Sequence, residues 1–307
     1  MSAPATVRPC LDFHFHTYYS NDAFGDPAAY VALAAERGVA ALAPAEHDNL
    51  DSLPAFAREI ERQGAPVALY SGVEIDTDCE RWGHCHVLAF FFDPMHAGLR
   101  ALLRREVDAG LARLGEIAAR MRAAGMEADL DAAFAHARRE APERTVGPKA
   151  LWLWLHETGR APSFEAAKAL YHEHARAIPA THRCADFELT LRTVHEAGGI
   201  ALLAHPQLTR FAESDVAAMM RQGLDGVEVY HTGSGTEGIE KWERLARWHG
   251  WPMSGGSDNH LAVDASWTGW PTAAPATLLE GLFQAAERRH AREPRALTAS
   301  HATSGSR

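Results

Sequence analysis

The chain has 307 residues, a length that accommodates one large α/β domain with an insertion. Its apolar content of 47% and charged content of 23% are ordinary for a soluble globular protein, and no apolar run is long enough to span a bilayer. The formal net charge of −10 argues against a general binder of long nucleic acids, because such a protein needs a cationic surface. A small anionic substrate is compatible with this charge if divalent cations are bound at the site.

The N-terminal segment has no apolar stretch of the kind found in secretory signals, so we expect a cytoplasmic protein without membrane association. The four cysteines are Cys10, Cys79, Cys85 and Cys184. They lack CxxC spacing and are too few for a disulfide framework in a chain of this length, so we expect reduced thiols.

Short apolar segments alternate with amphipathic ones along most of the chain, a pattern typical of βαβ units with a parallel sheet. The pattern predicts strands over residues 10–14, 39–44, 67–75, 86–92, 199–204, 226–230 and 252–255. It predicts helices over residues 27–37, 53–63, 185–197, 214–222 and 238–248. An α/β fold is therefore expected.

The strand pattern stops between the fourth and fifth predicted strands, where a long Ala/Leu/Arg-rich amphipathic stretch begins. We interpret residues 96–184 as a helical insertion, residues 1–95 and 185–292 as the two parts of a barrel, and residues 293–307 as a loose tail. Trp152 and Trp154, within the insertion, are more typical of core packing than of a base-stacking platform.

Side chains that bind metals gather at the predicted strand ends. His14 and His16 lie two residues apart on an extended segment, so both imidazoles are on one side of the backbone. The other candidates at strand ends are Glu46, His47, Asp48, Glu74, Asp76, Asp78, His84, His86, His205, Asp258 and His260. Since active sites of α/β barrels form at the ends of several strands, we predict that these side chains converge.

The mixture of imidazoles and carboxylates, without clustered thiolates, suits Zn, Mn or Fe better than a structural zinc site or calcium. A carboxylate such as that of Glu74 has two oxygens and can bridge two ions. Two ions about 3.5–4 Å apart can activate a water and neutralise a phosphoryl group during in-line displacement.

Seven motifs then resemble, in order, those of the PHP (polymerase and histidinol phosphatase) superfamily, and within it the small metal-dependent phosphoesterases. They are HFHTYYSND, AEHDN, GVEID, CHVLAF, AGGIALLAHP, DGVEVYH and GGSDNH, and the resemblance extends over about residues 11–95 and 185–272. The resemblance implies a distorted seven-stranded β/α barrel, of PHP type, with a helical insertion and a trinuclear metal site. It implies two or three divalent ions, Mn, Zn or Fe, as cofactors.

The resemblance also assigns ligands to three ions. The first set is His14, His16, Glu74 and Asp258, the second is Glu74, His86 and His205, and the third is Asp22, His47 and His260. Three motifs depart from the usual pattern. Ala45-Glu46-His47 replaces Thr-Asp-His, Asp22 fits only with a shift of one residue, and Gly147-Pro148-Lys149 replaces Gly-Arg-Pro-His. Asp22 could instead form a turn or cap the following helix.

Other assignments are less constrained by the motifs. We expect Glu74, Asp258 and His231 to be catalytic, although His231 could equally be a solvated loop histidine. Candidate phosphate-binding cations are Arg144, Lys149, Arg183 and Arg210. His84 could replace His86 as a ligand. His172 and His174 are expected at the surface, because residues two apart on a helix point to different faces.

The predicted function is hydrolysis of small phosphomonoesters, such as nucleoside phosphates and bisphosphates or oligonucleotide ends. The oligomeric state is left open. Histidinol phosphate is an alternative substrate. A metal-dependent amidohydrolase is a second alternative, yet many of these use a modified lysine at a strand end, and Lys149, Lys168 and Lys241 lie in predicted helices or loops. A non-catalytic module is the third, and it would be expected to have lost several ligands.

Overall fold

The computed structural model of the protein describes residues 10–139, 141–178, 184–209, 211–263, 274–291 and 294–298. These residues form a mixed α/β fold with two sheets, which confirms the expected class. No helix among them is long and apolar enough to cross a membrane.

The first sheet is parallel and contains β1 (Cys10–Asp12), β2 (Val39–Leu42) and β3 (Ala68–Leu69). Two helices connect its strands, α1 (Pro27–Arg37) and α2 (Leu53–Gln63), both with the predicted bounds. Helix α1 begins where the Asp26 carboxylate accepts a hydrogen bond from the Ala28 amide, and it ends at Gly38, whose φ of 69° is in the left-handed region.

The second sheet contains β4 (Gly72–Cys79), β5 (Gly83–Phe90), β6 (Ala185–Asp186), β7 (Ile200–Leu203), β8 (Gly226–His231) and β9 (Met253–Gly256). Its order is β6-β4-β5-β7-β8-β9. Strand β5 runs antiparallel to both β4 and β7, so the expectation of a parallel sheet is wrong there. Only residues 80–82 separate β4 from β5, and a parallel connection needs a crossover of about a dozen residues.

The strand expected over residues 67–75 is divided between the sheets, because β3 pairs in the first and β4 in the second. Single bridges join the sheets, one between Phe15 and Asn259 and another between His47 and Glu74. In addition, the Phe13 amide donates to the Gly255 carbonyl over 3.1 Å. Nine described strands in two bridged sheets thus stand where the resemblance implied seven strands in one barrel.

The insertion forms four helices, α3 (Ala97–Ala123), α4 (Leu130–Ala137), α5 (Pro148–Glu157) and α6 (Phe164–Ala175). They enclose an apolar cluster of their own, which includes Ile117, Leu151 and Tyr171. Trp152 and Trp154 are buried in this cluster, so the expectation of core packing is confirmed. The first turns of α3 instead pack into the main core between the sheets and their helices.

Four helices cover the second part of the chain, α7 (Phe187–Glu196), α8 (Glu213–Arg221), α9 (Thr236–His249) and α10 (Leu278–His290). Of these, α10 was not predicted. The segment 294–298 belongs to the expected loose tail, yet the Leu297 amide donates to the Leu69 carbonyl of β3 over 2.7 Å. That short segment is therefore attached to the first sheet. All four cysteines are free thiols.

Candidate metal centre

The candidate ligands lie within or after strands of both sheets and face one another. His14 and His16 follow β1, Glu74 is in β4, His205 follows β7, and Asp258 follows β9. Gly256 permits this convergence, since a Cβ atom at that position would lie only 2.2 Å from the His14 Cβ. A glycine is required there for β9 to approach the first sheet.

Four of these side chains surround one point. The Nε2 atoms of His14 and His16 each lie 3.2 Å from Glu74 Oε2. The same two nitrogens lie 3.3 and 3.2 Å, respectively, from Asp258 Oδ1. Both nitrogens are inaccessible to solvent, and neither makes a hydrogen bond of good geometry to any residue that the structure describes. Buried polar atoms without partners are rare, and a cation bound between them would satisfy all four groups.

A second carboxylate fixes the orientation of His14. Its Nδ1 lies 3.0 Å from Glu228 Oε1, and Glu228 also accepts a hydrogen bond from the His205 amide over 2.8 Å. Because a carboxylate accepts, Nδ1 carries the proton and the Nε2 lone pair faces the cluster. Sequence reasoning missed Glu228, although one carboxylate within the buried strand GVEVYH was a usable signal.

His16 is held by a different chain of contacts. Its Nδ1 lies 3.1 Å from Ser20 Oγ, and that hydroxyl donates to Glu46 Oε2 over 2.7 Å. Glu46 also accepts from the Thr17 amide and hydroxyl. The longer carboxylate in the Ala-Glu-His motif therefore organises the loop after β1 instead of joining the ligands.

Glu74 reaches a second group through its other oxygen. Glu74 Oε1 lies 2.8 Å from His86 Nδ1 and 3.3 Å from His205 Nε2. Since its Oε2 faces His14 and His16, the Glu74 carboxylate extends between two groups of imidazoles, as a bridging ligand must.

The third set of ligands also comes together. Asp22 Oδ2 lies 3.3 Å from His260 Nε2 and 3.6 Å from His47 Nε2. His16, His47 and His260 likewise present nitrogens within 4.8 Å of one another. All nine sequence-predicted ligands therefore lie in one continuous cluster, and Asp22 is aimed into it although its motif is shifted.

The cluster is strongly coupled electrostatically. Burial would raise the pKa of Glu74, but the His14 and His86 imidazoles outweigh burial and hold that pKa well below its usual range. Burial opposes protonation of His16, yet the Asp258 and Glu74 carboxylates raise its pKa to about 10. Protons here occupy nitrogens that divalent cations would otherwise bind, so the cluster attracts positive charge.

Backbone strain is concentrated at this centre. Among the described non-glycine residues with positive φ are Asp48 (52°), His205 (28°) and Asp258 (50°). Such conformations are uncommon for non-glycine residues, although Asp and His adopt them more readily than most, and they often occur at functional sites.

His231, expected to be catalytic, is buried beside the cluster. Its Nδ1 accepts a hydrogen bond from the Gly233 amide over 2.9 Å. Its Nε2 therefore carries the proton and points to Asp258 Oδ2, 3.1 Å away. A solvated loop position is thus excluded, and His231 contacts a candidate ligand directly.

Two of the four candidate phosphate-binding cations lie in the described part of the chain, near the loop that carries Asp22. Arg144 lies next to the loop that carries Asp22, and its Nε is inaccessible to solvent and makes no hydrogen bond within the described ranges. The Lys149 amino group is buried, donates to the Asp22 carbonyl over 2.6 Å and packs on Phe24. Burial lowers the pKa of Lys149 to about 6. Arg183 and Arg210 lie outside the described residues.

Comparisons with known proteins identify a matching domain and similar chains. The PHP domain profile matches residues 12–104. A 5'-3' exoribonuclease from Haemophilus influenzae is 27% identical over 254 residues, covering 81% of this chain and 89% of the relative. A 3',5'-nucleoside bisphosphate phosphatase from Chromobacterium violaceum is 26% identical over 256 residues, covering 81% of this chain and 87% of that one.

Solved structures share the fold. A protein assigned as a metal-dependent phosphoesterase from Bifidobacterium adolescentis superposes with a TM-score of 0.72 at 22% identity, covering 92% of this chain and 98% of its own. An amidohydrolase from Chromobacterium violaceum, solved with bound sulfate and no metal, gives a TM-score of 0.67 at 26% identity, covering 82% of this chain and 87% of its own.

Proposed function

We propose that the chain is a metal-dependent phosphoesterase of the PHP superfamily, acting on small phosphorylated nucleotides or the ends of short oligonucleotides. One observation carries the proposal: the buried, unpartnered Nε2 atoms of His14 and His16 face the carboxylates of Glu74 and Asp258 at 3.2–3.3 Å. Such a donor set fits Zn, Mn or Fe. We propose that the two bridged sheets correspond to the distorted barrel of the superfamily.

We assign the three ligand sets to three ions, with Glu74 shared between the first two. Divalent ions in such a centre supply Lewis acidity that neutralises a phosphoryl group and acidifies water. Glu228 keeps the Nε2 of His14 directed inward, and Ser20 does the same for His16. His231 orients Asp258 by donating to Oδ2, while the other carboxylate oxygen of Asp258 faces the imidazoles.

Substrate recognition is proposed to involve the insertion. The Thr145 amide donates to the Tyr18 carbonyl, and Gly147 packs against Asn21, so the start of α5 rests on the loop that carries Asp22. Arg144 is the cation available for a phosphate there. Lys149 contributes indirectly, because its amino group donates to the Asp22 carbonyl. Arg183 and Arg210 are retained as candidates on sequence grounds alone.

The relatives support two substrate classes. One relative is named for 3',5'-nucleoside bisphosphates and the other for 5'-3' exoribonuclease activity. The expectation that long nucleic acids are not partners therefore rests on the net charge alone. We propose that the substrate is a phosphorylated nucleotide, which is either free or the terminal nucleotide of a short RNA. Both forms present one phosphoester to the cluster and a second anionic group to Arg144.

An amidohydrolase is the second candidate, because one solved neighbour carries that name. The bridging position in this chain is taken by Glu74, and all three lysines lie in helices, α5, α6 and α9. These features therefore fit a phosphoesterase better than an amidohydrolase.

A substrate panel tests the choice between the two activities. It contains an aryl phosphate, adenosine 3',5'-bisphosphate, 5'-phosphorylated and 5'-hydroxyl short RNA, histidinol phosphate and N-acyl amino acids. Hydrolysis of the N-acyl amino acids alone would favour the amidohydrolase over the phosphoesterase.

A further inference from the structure

Acidic and histidine side chains share one face of the hairpin formed by β4 and β5. Because side chains alternate along a strand, Asp76 and Asp78 lie on the same face as Glu74. The antiparallel register pairs Asp76 with His86, and Asp78 with His84. His84 is 50% exposed, so this group lies at the solvent edge of the buried cluster.

Both imidazoles of the hairpin are oriented by a carboxylate. His86 Nδ1 lies 2.8 Å from Glu74 Oε1, and His84 Nδ1 lies 3.3 Å from Asp78 Oδ1. Asp78 is itself fixed, since its Oδ2 accepts from the Cys184 amide over 2.9 Å. In the neutral rings each Nδ1 therefore carries the proton and each Nε2 has the lone pair, the arrangement that orients histidines toward a metal.

The two Nε2 atoms converge with a third ligand atom. His84 Nε2 and His86 Nε2 are 3.0 Å apart, and Asp76 Oδ1 is 3.4 Å from His86 Nε2. That oxygen is inaccessible to solvent and has no hydrogen-bond partner in the described part of the chain. Ligand atoms about 2.0–2.1 Å from a tetrahedral ion are about 3.3 Å from one another. Two facing lone pairs repel unless a cation or a proton lies between them.

We propose that Asp76, His84 and His86 form a further zinc site, the rim site, which shares His86 with the second ligand set and whose occupation inhibits the enzyme. Two imidazoles, one carboxylate and an open position suit Zn²⁺ better than Mg²⁺ or Ca²⁺. A neutral imidazole has one lone pair and serves one ion at a time. An ion bound to His86 Nε2 at the rim site thus keeps the proton on Nδ1, so His86 cannot bind the second ion together with Glu74 and His205. Inhibition rests on the proposed phosphoesterase function, whereas zinc binding does not.

The test uses full-length protein reconstituted with Mn²⁺ and then titrated with Zn²⁺ in buffers of defined free zinc. Zinc per chain is measured by elemental analysis, and turnover is measured as phosphate release. Compared with His84→Ala, the parent should retain one more zinc per chain, bound at least about tenfold more tightly. Its turnover should fall over the same range of free zinc, while that of His84→Ala stays level.

Two further variants separate coordination from loss of a surface histidine. His84→Cys supplies another zinc ligand and should restore the extra ion, whereas His156→Ala, at an exposed position of α5, should titrate like the parent. Equal zinc content in the parent and His84→Ala overturns the site, even if no phosphatase activity is found. Equal inhibition of both proteins, with the extra zinc present only in the parent, overturns the inhibitory role.

Discussion

Glu228 Oε1 lies 3.0 Å from His14 Nδ1, and both side chains are fully buried. The Glu228 carboxylate therefore selects the His14 tautomer whose Nε2 can bind a metal. Burial would raise the pKa of Glu228, but the His14 imidazole outweighs burial and lowers it, so the carboxylate stays ionised.

Glu228→Gln keeps the size of the side chain but removes the charge that orients His14. We expect metal affinity to fall by about 10–100-fold, with little change in secondary structure. Equilibrium competition with a chromogenic chelator measures it. Glu213→Gln is the matched control, because Glu213 pairs with His249 at the surface, over 2.7 Å. If both variants bind metal like the parent, Glu228 does not position His14 for metal binding.

Glu74→Gln removes the negative charge between the first two ligand sets. One oxygen faces His14 and His16, and the other faces His86 and His205, so both sets are weakened together. We expect loss of more than one ion per chain and a fall in kcat of at least about 100-fold, measured by elemental analysis and phosphate release. Glu61→Gln, at an exposed position of α2, is the control. Unchanged metal content and turnover would count against bridging.

Arg144→Met tests recognition by the insertion. We expect kcat/KM for adenosine 3',5'-bisphosphate to fall by at least about tenfold, while metal content and turnover of an aryl phosphate stay near those of the parent. The control is Arg139→Met, which removes an exposed arginine that contacts His136. A parallel loss of both activities in Arg144→Met would show that Arg144 supports the centre itself instead of selecting substrate.

The pH dependence of stability tests the electrostatics of the metal-free protein. Burial opposes protonation of His86, but the Glu74 carboxylate raises its pKa to about 9, against an ordinary value of 6.5. The resulting stabilisation is complete below pH 6.5 and is lost as pH rises through 9. With chelator present, the parent should exceed His86→Gln in denaturant midpoint at pH 6, and the difference should shrink by pH 10. A difference in midpoint that grows with pH would contradict a protonated, positively charged His86 beside Glu74.

The sequence predicted the convergence of the candidate ligands better than it predicted the sheet. His14, His16, His205 and Asp258 could be found because each follows a strand, and strand ends converge whatever the exact sheet order. The antiparallel direction of β5 was missed because apolar alternation does not reveal the direction of a strand. The division between β3 and β4 was missed because both strands are buried and the apolar pattern does not separate them. Glu228 was missed because its role depends on a tertiary contact 214 residues away in sequence.

The central claim is that the convergent His, Asp and Glu cluster binds divalent ions that are required for phosphoester hydrolysis. The most direct measurement is phosphate release from adenosine 3',5'-bisphosphate by one preparation before chelation, after chelation and after reconstitution with Mn²⁺ or Zn²⁺, with metal content determined at each stage. We predict that turnover disappears with the ions and returns when two or three per chain are restored. Turnover that survives complete removal of metal, or fully loaded protein that releases phosphate from no phosphoester in the panel, would contradict the claim.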